Sequence, residues 1–119
     1  MKKFIFKTTA TMKEYNARKW WIDSGIVREI QVEADNLKSA LQLYREAVKE
    51  TAYIEISDNA IKNKSAMYRD NKAGEAVQVG YVITGKTEFQ KDSGEWSTQY
   101  IDLWVTVLTV VNTDFMEVA

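Results

Sequence analysis

Three stretches of this 119-residue chain combine flat rings with amides and cations: residues 15–23 (YNARKWWID), 59–70 (NAIKNKSAMYRD) and 96–102 (WSTQYID). Such a mixture can hold a nucleobase, because a ring offers a stacking face, an amide reads a base edge, and arginine or lysine meets phosphate. The candidate ligand-binding residues are therefore Arg18, Trp20, Trp21, Arg28, Asn59, Asn63, Tyr68, Arg69, Gln99 and Tyr100. Trp20 and Trp21 are adjacent, so in extended chain one ring turns inward and the other outward, next to Arg18 and Lys19. The plainer reading of all three stretches is that aromatics beside polar residues mark sheet edges or an interface.

Catalytic chemistry is harder to assemble. Histidine and cysteine are both absent, which removes Ser-His-Asp and Cys-His nucleophilic systems, disulfides, and His- or thiolate-ligated metals. Asp23, Asp58, Asp70 and Asp102 fall on different predicted elements without a DxD or ExxH spacing, so no metal or acid-base pair is indicated. The segment GYVITG at 80–85 has too few glycines and no helix after it to form a phosphate loop. The expectation is a binding protein, not an enzyme, with no cofactor.

The elements that must position these residues centre on residues 95–111, EWSTQYIDLWVTVLTVV. Odd positions Ile101, Leu103, Val105, Val107 and Val111 and even positions Tyr100, Trp104, Leu108 and Val110 are all apolar or aromatic, so this strand needs cover on both faces. Only one helix is strongly indicated, and the second face therefore predicts at least a dimer. Residues 3–12 alternate with Phe4, Phe6, Ala10 and Met12 on one side. Residues 13–19 read as a loop, 23–25 as a turn or bulge, and 26–34 as a second strand with Ile26, Arg28, Ile30, Val32 and Ala34 sharing a face. Arg28 is the polar exception in that row, either a snorkelling rim residue or a guanidinium aimed into a pocket.

A helix capped by Asp35 or Asn36 should run to about residue 50, with Leu37, Ala40, Leu41, Tyr44, Ala47 and Val48 forming its apolar stripe and Lys38, Gln42, Arg45, Glu46 and Lys49 facing out. Residues 51–57 read as a short strand, 59–64 as a single turn behind Asp58 or Asn59, and 65–74 as irregular. Residues 76–89 form a long strand in which Gly80 and Gly85 suggest a bulge or close backbone approach, and residues 91–94 turn the chain into the strand at 95–111. The whole predicts one α+β domain over 1–119: a mainly antiparallel sheet of about five strands with one principal helix packed on one face.

Apolar content of 45 % with 16 basic against 17 acidic residues fits a folded chain and excludes a disordered one. A net charge of −1 argues against a duplex nucleic acid partner. No run is long enough to span a membrane, and MKKFIFKTTATMK lacks an uninterrupted apolar core and cleavage site, so a cytoplasmic protein without membrane contact is expected. Charge is uneven, +4 over 1–30, −3 over 31–60, +3 over 61–91 and −5 over 92–119. Two basic segments meeting in space would suit a small anion.

The strings ATMKEYN at 10–16, KWWIDSG at 19–25, NAIKNKSAMYRD at 59–70, QVGYVITGKTEF at 78–89 and WSTQYIDLWV at 96–105 resemble a family of short proteins carried by phages and integrative elements of Firmicutes. Within that group the chain is similar to the Thoeris anti-defence sponges. The resemblance implies an oligomeric, non-catalytic protein, acting in the host cell cytoplasm, that sequesters a cyclic ADP-ribose-type signal and in some members a cyclic oligonucleotide at a second site. It carries over no binding residue position by position, so the candidates remain those of the three stretches. The alternatives are an anti-CRISPR-like protein–protein inhibitor of a host defence nuclease, working through an acidic face such as 92–119, and an accessory protein of a mobile element.

Overall fold

The computed structural model describes residues 1–12 and 28–111. The expected loop at 13–19, the Trp20-Trp21 pair and the turn at 23–25 lie outside the described residues. Five strands form one antiparallel sheet in the order β2-β1-β5-β4-β3. They are β1 (Lys2–Met12), β2 (Arg28–Ala34), β3 (Ser65–Asp70), β4 (Ala76–Gln90) and β5 (Trp96–Val111), with helices α1 (Leu37–Ala52) and α2 (Asp58–Lys62) between β2 and β3. The α+β architecture, a five-stranded antiparallel sheet with one main helix on one face, agrees with the sequence reading.

Alternation sets the two faces. Phe4 and Phe6 on β1, Ile83 on β4, and Ile101, Leu103 and Val105 on β5 are all buried, and they meet Ala40, Leu41, Tyr44 and Val48 from α1 in one core. The register confirms the shared face, because Phe6 stands opposite both Ile30 and Val107, and Ile83 opposite Leu103. α1 starts where Asn36 Oδ1 accepts a bond from the Ser39 amide at 2.9 Å, satisfying a donor that the first turn leaves orphaned. It lies over β2 and β1, and the Tyr44 ring reaches Phe6 with centroids 4.8 Å apart.

Two local expectations change. Residues 51–57 are not a strand: α1 continues to Ala52, Tyr53 turns the chain in the left-handed region with φ 56°, and Glu55 makes a single bridge to Lys86. Ile54 and Ile56 are nonetheless buried, so the apolar alternation is real although only one residue finds a ladder partner. Residues 65–74 are not irregular, since they form β3 and the turn that returns it to β4. That turn, residues 71–75, and the β4–β5 turn, residues 91–95, use the same pair of backbone bonds. Asn71 N–H reaches Glu75 O and Gly74 N–H reaches Asn71 O; Lys91 and Gly94 repeat the pattern. Gly74 and Gly94 sit at φ 79° and 88°, where a residue without Cβ carries no steric penalty.

The two glycines inside β4 mark a bulge and a close approach, as expected. The β3–β4 register shifts between Met67 and Tyr68, opposite the residues leading into Gly80. A Cβ on Gly80 would stand 1.8 Å from the Val105 carbonyl oxygen, and one on Gly85 would stand 2.5 Å from Ile54 Cγ2.

Candidate ligand-binding site

The sheet face opposite α1 is built by the other half of each strand's alternation. On β5 this places Tyr100, Asp102, Trp104 and Leu108 on one side, with Tyr100 45 %, Trp104 41 % and Leu108 58 % exposed. Along that row the polar groups are tied to the neighbouring strands. Thr84 Oγ1 on β4 donates to Asp102 Oδ1 at 2.9 Å, and Trp104 Nε1 donates to Thr11 Oγ1 on β1 at 2.8 Å. Thr11, Asp102 and Thr84 are themselves register partners across β1, β5 and β4, so the indole is drawn back toward the Asp102 row.

The corner between α2 and β3 rises beside this row. Ser57, and not Asp58 or Asn59 as the sequence suggested, caps α2 by accepting from the Ala60 amide at 3.1 Å, and Asn63 ends it with its amide bonded to Asn59 O. Ala60, Asn63 and Ser65 from the corner, with Val82, Thr84 and Asp102 from the sheet, line an open pocket of about 260 Å³. Its chemistry is that of hydrogen-bond recognition: a half-buried carboxylate with one oxygen engaged by Thr84, two hydroxyl residues, and one amide residue. Lys86 stands opposite Tyr100 in the ladder, which puts a cation at the pocket's end of the sheet. Lys64 is committed elsewhere, bonded to Ile61 O at 3.2 Å with its Nζ 5.1 Å from the Tyr81 ring centroid.

The candidates from sequence are only partly gathered here. Asn63 lines the pocket and Tyr100 is the neighbour of Asp102 on the same face. Asn59 is exposed on α2, outside the pocket lining. Tyr68 and Arg69 are exposed on β3 past the bulge, opposite Gln78 and Val77, about 10–13 Å along the strand from Ser65. Gln99 turns the other way: it is 5 % exposed, on the side of Ile101 and Leu103, and does not reach the outer face. Arg28 begins β2 opposite Thr8, so four strand spacings, about 19 Å, separate its strand from that of Arg69. Arg18, Trp20 and Trp21 lie outside the described residues.

Five residues that matter here were not among the candidates: Ser65, Thr84, Lys86, Asp102 and Trp104. A usable signal existed, because a period of two from Tyr100 places Asp102 and Trp104 on its face. Arg45, exposed by pattern, is partly buried and paired with Asp58, which joins α1 to the first turn of α2. Among the described residues no three carboxylates gather to hold a metal ion, and no helix is long and apolar enough to cross a membrane. Comparison of the chain with family models, with curated proteins and with solved structures finds no match.

Proposed function

We propose that this protein binds a small nucleotide-type ligand in the pocket beside Asp102 without transforming it. In the setting implied by its sequence resemblance, it thereby sequesters a cyclic nucleotide signal in the host cell cytoplasm. The observation that carries the reading is the grouping of the Asp102 carboxylate with Asn63, Ser65 and Thr84 beside the exposed rings Tyr100 and Trp104. A carboxylate accepts from the N–H edge of a base, a ring supplies about 1–3 kcal/mol per stacked base, and Lys86 meets phosphate as a point charge. A chain with no histidine and no cysteine is poorly equipped to activate a nucleophile, which favours capture over turnover.

Calorimetry against cyclic ADP-ribose isomers and cyclic di- and trinucleotides tests this. The expected result is binding of at least one of them, with the ligand recovered intact after heating. If none binds, the reading fails and inhibition of a protein target takes its place, to be read by co-purification with a defence nuclease.

A further inference from the structure

The wall of the pocket that carries Asn63 is held differently from the floor that carries Asp102. Val82, Thr84 and Asp102 sit inside the ladder that joins β4 to β5. Ala60 and Asn63 belong instead to a strap, residues 56–64, that is tied to β4 at both ends. At the first end Glu55 and Lys86 exchange both backbone bonds, at 2.8 and 2.9 Å, and Ile54 and Ile56 are buried over Gly85, where a Cβ finds no room. At the second end Ser65 enters the β3 ladder opposite Val82. The two ends are about 13 Å apart along β4, so the strap bows outward and carries α2 with it.

Little burial holds that bow in place. None of the residues of α2 is buried, and Ala60 and Ile61 only flank the core. A helix this short is not stable alone. Lys64 reaches back to Ile61 O and lies over the Tyr81 ring. A further tie runs to α1, where Arg45 Nη1 donates to Asp58 Oδ1 at 2.5 Å. Asp58 is the first residue of α2 and Asn63 caps its other end, about 8 Å farther on, so one turn of helix passes the position of the first to the second.

We infer that Arg45 is a positioning residue for the pocket: its charge, acting through Asp58, keeps the strap drawn in so that Asn63 and Asp102 line one pocket, and the pocket's grip weakens as salt screens the pair. Its weight for binding rests on the pocket taking a nucleotide, whereas the placement of the strap is measurable without any ligand. An ion pair whose carboxylate side chain is 91 % exposed adds little to global stability. In a segment with so few buried contacts it bears instead on local opening. A ligand that bridges strap and sheet is coupled to that opening reciprocally.

Amide hydrogen exchange on the ligand-free full chain tests the placement. The Ile61 and Asn63 amides close α2, and Arg45→Gln should speed their exchange about two- to five-fold, the effect of an exposed ion pair. Exchange at Tyr44 and Val48 in α1 and the melting temperature should not change. Sodium chloride at about 1 M, where the screening length is about 3 Å, should do the same to the parent and nothing to Arg45→Gln. Arg45→Lys keeps the charge, and because the contact to Asp58 uses a single guanidinium nitrogen it should restore parental exchange. Equal exchange in the parent and Arg45→Gln, or equal acceleration in Arg45→Lys and Arg45→Gln, overturns the inference.

Calorimetry then uses the best binder among cyclic ADP-ribose isomers and cyclic di- and trinucleotides. Arg45→Gln should weaken it by the same factor, and should weaken it no further when Asn63→Ala is already present, since the strap then has no amide to deliver. Additive losses place the effect of Arg45 outside the strap and overturn the positioning role. If the parent binds none of these nucleotides, the proposed function fails, while the exchange result still decides whether Arg45 holds the strap.

Discussion

Thr8 Oγ1 and Tyr44 OH lie 2.7 Å apart in the core, joining the middle of β1 to the middle of α1 through a hydrogen bond that water does not share. Burial pushes the Tyr44 phenol up to about 12, and the bond from Thr8 opposes that rise without cancelling it. The folded protein therefore holds the phenol proton more tightly than the unfolded chain does, whose phenol titrates near 10. Stability from this group is fully present below pH 10 and is lost as pH climbs from about 10 to 12, by roughly 2–3 kcal/mol. Tyr44→Phe should remove that alkaline phase. At neutral pH it should cost about 1–2 kcal/mol for the hydroxyl left unpaired on Thr8. Denaturant midpoints across pH 8–12 read both effects.

On α1, Leu41 is 3 % exposed and Lys38 faces solvent. Leu41→Ala should lower stability by about 2–5 kcal/mol, while Lys38→Ala should stay within about 0.5 kcal/mol of the parent. Equal losses in urea unfolding would contradict the packing of the helix described here.

Inside β4, the two glycines should respond in a definite order. Gly80→Ala drives a Cβ against the Val105 carbonyl, a backbone group that moves only by breaking the β4–β5 ladder. Gly85→Ala meets Cγ2 of Ile54, a branch methyl on a buried and stiff side chain but not a backbone group. Overpacking of the second kind costs about 1–3 kcal/mol, and Gly80→Ala should exceed it. Gly74→Ala has open space around it and strain only from its φ of 79°, so it should be mildest, near about 1 kcal/mol.

Tyr53 offers a stabilising change. It ends α1 in the left-handed region with its side chain 80 % exposed, so Tyr53→Gly relieves about 1–2 kcal/mol of backbone strain. Part of that gain returns as added freedom of the unfolded chain, which leaves a rise of a few degrees in melting temperature.

For the pocket, Asp102→Asn keeps the size of the side chain and the oxygen that Thr84 addresses, but replaces the second acceptor with a donor. Binding of any nucleotide that presents an N–H edge should fall ten-fold or more, about 1.4 kcal/mol or above. Tyr100→Ala should weaken nucleotides of every base alike through lost stacking. Arg69→Ala, on the far part of β3, should have no effect. A loss for Arg69→Ala comparable to that for Asp102→Asn would move the site to the outer end of β3.

Much of this was legible in the chain. The stripe from Leu37 to Val48 and its Asn36 cap are local signals, and the double apolar pattern of β5 called for cover on both faces, of which the described residues supply one and leave Tyr100, Trp104 and Leu108 exposed on the other. Residues 65–70 were not legible, because Ala66, Met67 and Tyr68 run together without alternation and the strand is almost wholly exposed. It exists because the Asn71–Gly74–Glu75 turn folds it onto β4, and that turn differs little from the one at 91–95 that was recognised. Residues 51–57 misled in the opposite sense: Ile54 and Ile56 are spaced as in a strand, but pattern alone does not reveal that the neighbouring edge offers one bonding position. The site candidates were picked by composition along the chain. A site on a sheet is assembled by register across it, so Asn63 and Tyr100 stayed near the pocket while Arg28, Arg69 and Gln99 dispersed.

The strand lengths carry one more consequence. The inner strands β1, β5 and β4 run to 11, 16 and 15 residues, while β2 and β3 at the rims have 7 and 6. Farther along β4, Glu55 bonds to Lys86 where β3 no longer reaches. On the β3 side the short strand and the Glu55 bridge leave the outer ladder groups of β4 open only in interrupted stretches, which give an incoming strand little to template on. Growth of the sheet sideways into fibrils is thereby disfavoured, and the aromatic-rich strand at its centre can stay exposed on one side at a lower risk of aggregation.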